Sequence, residues 1–237
     1  MRVLTVAGLK GGVGKTTSAV NVAAELAARG WRVRLLDLDP QASATLSLGL
    51  MPAEGSGERE PVPVDLGEVP GSLEVIRGGR GLALVDRGRV SLLVEAATAG
   101  TELLVVDTPP TLSPLTLAGL EAATAVLAPV EATPLSLPSL RDLRDLLASL
   151  SKPPQLLAIL VRVQARRTLT GDVEELLAEE FPGVVLPVTV PEDVRAAEAP
   201  GYGQPLFLYA RTSRAAVAYR NVAELVEDAL KRVELER

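Results

Sequence analysis

The chain has no cysteine and no histidine. The first absence removes disulfides, thiol catalysis and cysteine-ligated iron–sulfur or zinc sites. The second removes the usual general base and the commonest metal ligand. A metal in such a protein would be a hard cation held by oxygen, such as Mg²⁺. Aromatic residues make up only 3% of the chain while apolar residues make up 47%. The core is therefore built mostly from Ala, Val and Leu, and a stacking platform for bases or sugars is not expected. Lysine is also scarce: Lys10, Lys15, Lys152 and Lys231 are the only four among 24 basic residues. Two of the four fall in one short loop, which suggests chemistry at that loop. The formal net charge is −6, so binding to nucleic acid would need a local basic patch. No signal peptide fits ahead of the glycine-rich stretch that follows residue 7. No uninterrupted apolar run is long enough to span a membrane. A soluble cytoplasmic protein is the simplest expectation.

A length of 237 residues suits one α/β domain or two small ones. Short β-rich apolar runs at 3–7, 33–36, 103–106, 125–130, 156–163 and 184–188 alternate with helical patterns. The helical patterns fall at 16–29 and near 80–98, 113–121, 136–150, 170–180 and 212–235. Continuously apolar strands separated by helices imply a parallel sheet covered on both faces. Residues 52–72 are rich in Pro, Gly and Glu and read as a loop excursion. No internal repeat or interdomain linker stands out. The expected architecture is one doubly wound α/β domain over 1–237, its single, mostly parallel sheet flanked by helices.

Residues 10–17 read Lys10-Gly11-Gly12-Val13-Gly14-Lys15-Thr16-Thr17, between a strand and a helix. A phosphate loop needs that context. Glycines let backbone N–H groups converge on phosphate oxygens, and the following helix presents its positive dipole end. Lys15 can reach β- and γ-phosphates, and the Thr16 hydroxyl can ligate Mg²⁺. The second strand runs into Asp37-Leu38-Asp39-Pro40-Gln41, and the third into Asp107-Thr108-Pro109-Pro110. Carboxylates just past parallel strands face the ligand crevice. An apolar run ending in Asp107 is the Walker B form, with Asp107 holding Mg²⁺ directly or through water.

The loop departs from the ordinary Walker pattern: Leu9 stands where a glycine is usual, and Lys10 opens the loop instead. In this it resembles the deviant Walker A motif of the ParA/MinD superfamily. The resemblance implies a P-loop ATPase fold and ATP rather than GTP as ligand; the Asn-Lys-x-Asp guanine motif is absent. It also implies that Lys10 reaches across an ATP-dependent homodimer to the partner's nucleotide. The second aspartate segment is similar to the family's Asp-x-Asp-Pro-Gln motif. By that analogy Asp39 positions or activates the attacking water, and Asp37 supports the magnesium shell.

A further block, Val190-Pro191-Glu192-Asp193-Val194-Arg195 through Glu198-Ala199-Pro200 to Gln204-Pro205, resembles that of Soj/ParA-type partition ATPases. The resemblance runs from Arg2 to about Leu230. It implies that Pro191 flanks the adenine. Glu192-Asp193 stand where the family carries Arg-Asn, which removes a positive charge near a DNA face. Partition ATPases of this type bind DNA without sequence preference when dimeric and ATP-bound. They work with a ParB-like centromere-binding partner and associate with the nucleoid. Arg195, together with Arg166 or Arg167, matches the basic positions that contact phosphates. No helix-turn-helix extension precedes the loop, so sequence-specific DNA binding is not expected. A MinD-like division-site switch, or another cargo-positioning ATPase, is the second reading; a membrane-bound MinD-like form needs a basic amphipathic C-terminal helix. The segment 224–237 mixes signs and leans acidic, which favours a helix docked on the protein and no membrane partner. A metabolic ligase on the same fold is the third; no small-substrate pocket of its own is identifiable. Absent cysteines exclude the nitrogenase-reductase branch.

Overall fold

In the computed structural model, the described residues are 2–55, 59–133, 136–164 and 168–235. The first half holds β1 (Arg2–Val6), α1 (Lys15–Ala28), β2 (Arg32–Asp37), α2 (Ser43–Ser47), β3 (Val62–Val64), β4 (Ser72–Ile76) and α3 (Arg87–Ala97). The middle holds β5 (Leu103–Asp107), α4 (Pro114–Ala122), β6 (Ala125–Glu131), α5 (Ser136–Ala148) and β7 (Gln155–Val163). The last part holds α6 (Thr168–Glu180), β8 (Val185–Pro191), α7 (Val194–Glu198), α8 (Leu206–Tyr209) and α9 (Arg214–Leu235).

The strands form one eight-stranded sheet in the order β3-β4-β2-β5-β1-β6-β7-β8. Every pairing is parallel except β3 with β4. The doubly wound, mostly parallel sheet expected from the alternating pattern is present. Period-2 alternation splits each central strand between the two faces. Leu4, Val33, Leu35, Leu103 and Val105 join the cluster under α1 and α9. Val3, Leu36, Leu104 and Val106 join the cluster under α3 and α4. A third cluster fills the space between β6, β7, α5 and α6. The apolar stripe of α9 (Tyr219, Val222, Val226, Leu230) is buried in the first cluster, so it is turned inward. Among the described residues no helix is long and apolar enough to cross a membrane.

Three local differences from the sequence expectation have physical causes. The excursion over 52–72 contains β3, an antiparallel edge strand whose Pro63 sits where a missing N–H is tolerated. It is followed by β4, which gave no continuous apolar signal because Glu74 interrupts it; Glu74 is there to pair with Arg34 of β2 at 2.6 Å. The helix expected over 80–98 is divided into a 3-10 turn, Arg80–Leu84, and α3. The Asp86 side chain accepts the Arg89 N–H and so caps α3 afresh.

Candidate phosphate-binding site

The carboxyl ends of β1, β2 and β5 lie side by side, with Val6 opposite Asp107 and Asp107 opposite Asp37. This register brings the glycine loop, Asp37, Asp39 and Asp107 to one crevice. Gly12 and Gly14 take φ values of 75° and 81°, a left-handed backbone that favours glycine. Gly14 is the residue before α1, and its carbonyl accepts the Ser18 N–H at 2.9 Å. The first helical residue is therefore Lys15, and the amides of a helix's first turn have no partner within the helix.

Lys15 is buried, with 6% exposure. Its ammonium donates to the Lys10 carbonyl at 2.9 Å. Burial pulls its pKa below the ordinary lysine value, an effect opposed by the charges of Asp107 and Asp39. The Thr16 hydroxyl donates to Asp107 Oδ2 at 2.8 Å. The other oxygen, Asp107 Oδ1, is buried and has no hydrogen-bond partner. Burial, then repulsion from Asp37, pushes the Asp107 pKa well up. An orphaned carboxylate oxygen, a threonine hydroxyl and a second buried carboxylate across the strand pairing make a donor set suited to a hard divalent cation.

Asp37 is held entirely by its own chain. Its Oδ1 accepts the Asp39 N–H at 3.1 Å, and its Oδ2 accepts both the N–H and the hydroxyl of Thr45 at 2.8 and 2.7 Å. Burial raises its pKa, and these bonds oppose the rise. Asp39 is also buried, and its Oδ1 accepts the Gln41 N–H at 2.9 Å. Asp37 thus braces the turn that carries Asp39. Lys10 is half-buried, and among the described residues its ammonium meets no carboxylate at ion-pair distance.

Pro191 ends β8, three strands away from β1, and Arg195 is exposed on α7. Arg166 and Arg167 lie outside the described residues. Two supporting residues went unnoticed in the sequence. Thr45, eight positions after Asp37, is invisible to motif reading because α2 is a single short turn. Asn21 did leave a signal, as an amide on the buried face of an apolar helix. It donates to the Thr17 carbonyl at 2.8 Å and accepts the Leu206 N–H at 2.7 Å. That pair of bonds ties the phosphate-loop helix to the start of α8.

The buried Asp107 carboxylate has a measurable consequence. Its pKa is higher in the folded chain than in the unfolded one, so the native state keeps this proton to higher pH. Stability of the ion-free protein therefore falls as pH rises from about 3.9 through the raised folded value. Asp107→Asn removes that penalty. In EDTA at neutral pH it is expected to raise unfolding free energy by about 1–3 kcal/mol, while weakening Mg²⁺ binding. Urea denaturation of both proteins checks this, and a less stable Asn variant in EDTA would contradict it.

Residues 4–206 match the family described as the CobQ/CobB/MinD/ParA nucleotide binding domain. The chromosome-partitioning ATPase Soj of Thermus thermophilus is 40% identical over 241 residues, covering 95% of each chain. Among solved structures, cobyrinic acid a,c-diamide synthase from Mycobacterium smegmatis, with a bound ATP analogue and magnesium, is 27% identical. It superposes with a TM-score of 0.75 over 98% of this chain and 96% of that one. The cell division ATPase MinD of Pyrococcus furiosus shares the fold at a TM-score of 0.79, 22% identity, and coverage of 96% and 99%. With its crevice geometry and a family match over most of its length, the chain belongs to the CobQ/CobB/MinD/ParA nucleotide-binding family, among its Soj/ParA chromosome-partitioning ATPases.

Proposed function

We propose that the chain works as a single P-loop domain, an ATP-driven partition switch for a chromosome or plasmid. The observation that carries this reading is the buried Lys15 ammonium, parked on a backbone carbonyl beside an orphaned aspartate oxygen. A buried cation with so weak a partner is poised to exchange it for a triphosphate. Gly11, Gly12, Val13, Gly14, Lys15, Thr16 and Thr17 would cradle the phosphates. Thr16 and Asp107 would hold Mg²⁺, with Asp37 behind them bracing the shell. Bound there, Mg²⁺ would neutralise charge on the phosphates. Asp39 would orient and deprotonate the attacking water through its second oxygen, since the first is taken by Gln41. Pro191 would flank the adenine. Lys10, with no carboxylate of its own among the described residues, would reach the nucleotide of a second subunit. Hydrolysis by a lone subunit would be slow, because no histidine base exists and no arginine finger is evident.

The ATP-bound homodimer would then hold DNA non-specifically, associate with the nucleoid in the cytoplasm, and be released when a ParB-like partner stimulates hydrolysis. A local feature supports this despite the net charge of −6. Arg195 is exposed at the start of α7 and Asp193 caps that helix. The same Asp193 accepts the Ala215 N–H, which draws the first turn of α9 alongside. Exposed Arg211 and Arg214 flank that corner. Two such corners in a dimer would double the phosphate contacts without changing the sign of the whole chain. Arg166 and Arg167 would add to them.

The reading is tested by DNA retention with ATP and Mg²⁺ across a salt series. Wild type should retain DNA only with ATP, and Arg195→Glu should weaken retention about tenfold and flatten the salt slope by about one unit per site. Retention that ignores both ATP and Arg195→Glu would remove the DNA switch from the account.

A further inference from the structure

Among the described residues, two besides glycine have a positive φ, Ala42 and Arg162. Arg162 lies near the carboxyl end of β7, beside the phosphate loop: a Cβ on Gly14 would stand 3.9 Å from Val161 Cγ2. Val161 pairs with Val190 of β8 and Val163 with Pro191, so β7 uses one residue more than β8 here. Leu160 and Val163 pack on the same apolar cluster, while Val161 packs on the opposite one. Strict alternation would put Arg162, not Val163, on the face of Leu160. Arg162 is therefore the inserted residue of a β-bulge, which re-aims its side chain. Its left-handed backbone, φ 55°, is a conformation that arginine adopts only at a cost.

The side chain so aimed meets Glu131: Arg162 Nη1 donates to Glu131 Oε1 at 3.0 Å. Glu131 ends β6 and lies opposite Val161 of β7. On its other side β6 runs parallel to β1, with Leu4 opposite Ala125 and Val6 opposite Leu127. The two chains stay together past the end of β1, since a Cβ on Gly8 would stand 3.9 Å from the Pro129 carbonyl oxygen. The same register, carried on, sets Lys10 beside Glu131. Both line one small cavity of about 30 Å³ next to the loop, and they are the only charged residues among its described lining.

An ammonium and a carboxylate lining one cavity attract each other, yet these two are not paired. Lys10 has no carboxylate at ion-pair distance among the described residues, and Glu131 is engaged by Arg162 instead. The Glu131 side chain is 26% exposed and that of Arg162 57%. A pair so open to water is screened and weak, so Glu131 can change partner at little cost. The bulge on β7 supplies the competitor: it turns a permanently charged guanidinium onto the one carboxylate that stands within the cavity of Lys10.

We propose that Arg162 is a positioning residue: by holding Glu131 it keeps that carboxylate off Lys10, whose ammonium stays free to reach the nucleotide of a second subunit. The consequence for the dimer rests on the role proposed above for Lys10; the guarding of Lys10 does not. The test uses the full chain and Arg162→Gly, because glycine suits the left-handed backbone and circular dichroism can confirm the fold. Without nucleotide, lysine accessibility is read by amine acylation and mass spectrometry, with the exposed Lys152 as internal reference. Lys10 acylation should fall about threefold in Arg162→Gly, the size of a surface ion pair. The fall should shrink at about 1 M salt, where such a pair is screened. Adding Glu131→Gln should restore wild-type acylation, a response that a merely structural role of Arg162 would not give. With ATP and Mg²⁺, a symmetric dimer uses two Lys10 side chains, so Arg162→Gly should weaken dimerisation about tenfold by light scattering. Glu131→Gln should again restore it. Unchanged Lys10 acylation in Arg162→Gly, or a fall that Glu131→Gln does not reverse, overturns the guarding. Acylation as expected with dimerisation unchanged, or weakened and not restored by Glu131→Gln, overturns the consequence for the dimer. A wild-type chain that never dimerises with ATP would sink the partition reading, and acylation would still decide whether Arg162 guards Lys10.

Discussion

Lys15→Ala is expected to lower the affinity for labelled ATP in the presence of Mg²⁺ by about a hundredfold, the equivalent of about 3 kcal/mol. The size follows from what the ammonium gives up and gains. Without nucleotide it is buried, with its pKa pulled down, and bonded to one neutral carbonyl. Against a triphosphate it would make charge-assisted hydrogen bonds in the same sheltered place, and these are the strong kind. Alanine loses them all and leaves Asp107 and Asp39 facing the phosphates without a counter-charge. Lys152→Ala is the natural control, since Lys152 is exposed and far along the sequence from the loop. Equilibrium binding on both variants checks the point. Uptake undiminished in Lys15→Ala would remove the phosphate site from this loop.

The second large effect should separate binding from chemistry. Asp39→Ala and Asp39→Asn are each expected to slow hydrolysis by about 10²–10⁴-fold, while ATP affinity stays within a few-fold. The chain has no histidine to share the task. The asparagine variant is the sharper of the two, because it can still accept the Gln41 N–H. It keeps the turn and loses only the negative charge that can take a proton. Single-turnover hydrolysis beside ATP-dependent dimerisation by light scattering would show a long-lived dimer in both variants. Near-normal turnover in Asp39→Asn would mean that the turn positions water without acting as a base. The same pair of measurements on Thr45→Val tests the bracing of Asp37, since valine cannot donate to Asp37 Oδ2.

The parallel, doubly wound sheet was legible because central strands buried on both faces leave unbroken apolar runs, as in Leu103–Asp107. The edge was not. β4 carries Glu74 in mid-strand, and only the guanidinium of Arg34, forty positions earlier, explains it. α3 was blurred into one longer helix because a 3-10 turn and an α-helix share nearly the same apolar spacing. In the site, the loop and its three aspartates could be named in advance, since glycine geometry and carboxylates at strand ends follow from local chemistry.

By itself, then, the order of residues pointed to a candidate phosphate loop, to oxygen ligands for any metal, and to a sheet with its acids at one end. Each of these depends on neighbours in sequence or on the kinds of side chain present. Only the tertiary structure decided that Asp107 keeps one oxygen unmet and that Thr45, itself held by the Gly78 N–H, pins Asp37. The physical reason is that burial, pairing and orphaned hydrogen-bonding groups are properties of contacts between distant segments. A strand register of Asp37 on Asp107 creates them, and no local pattern encodes that register alone.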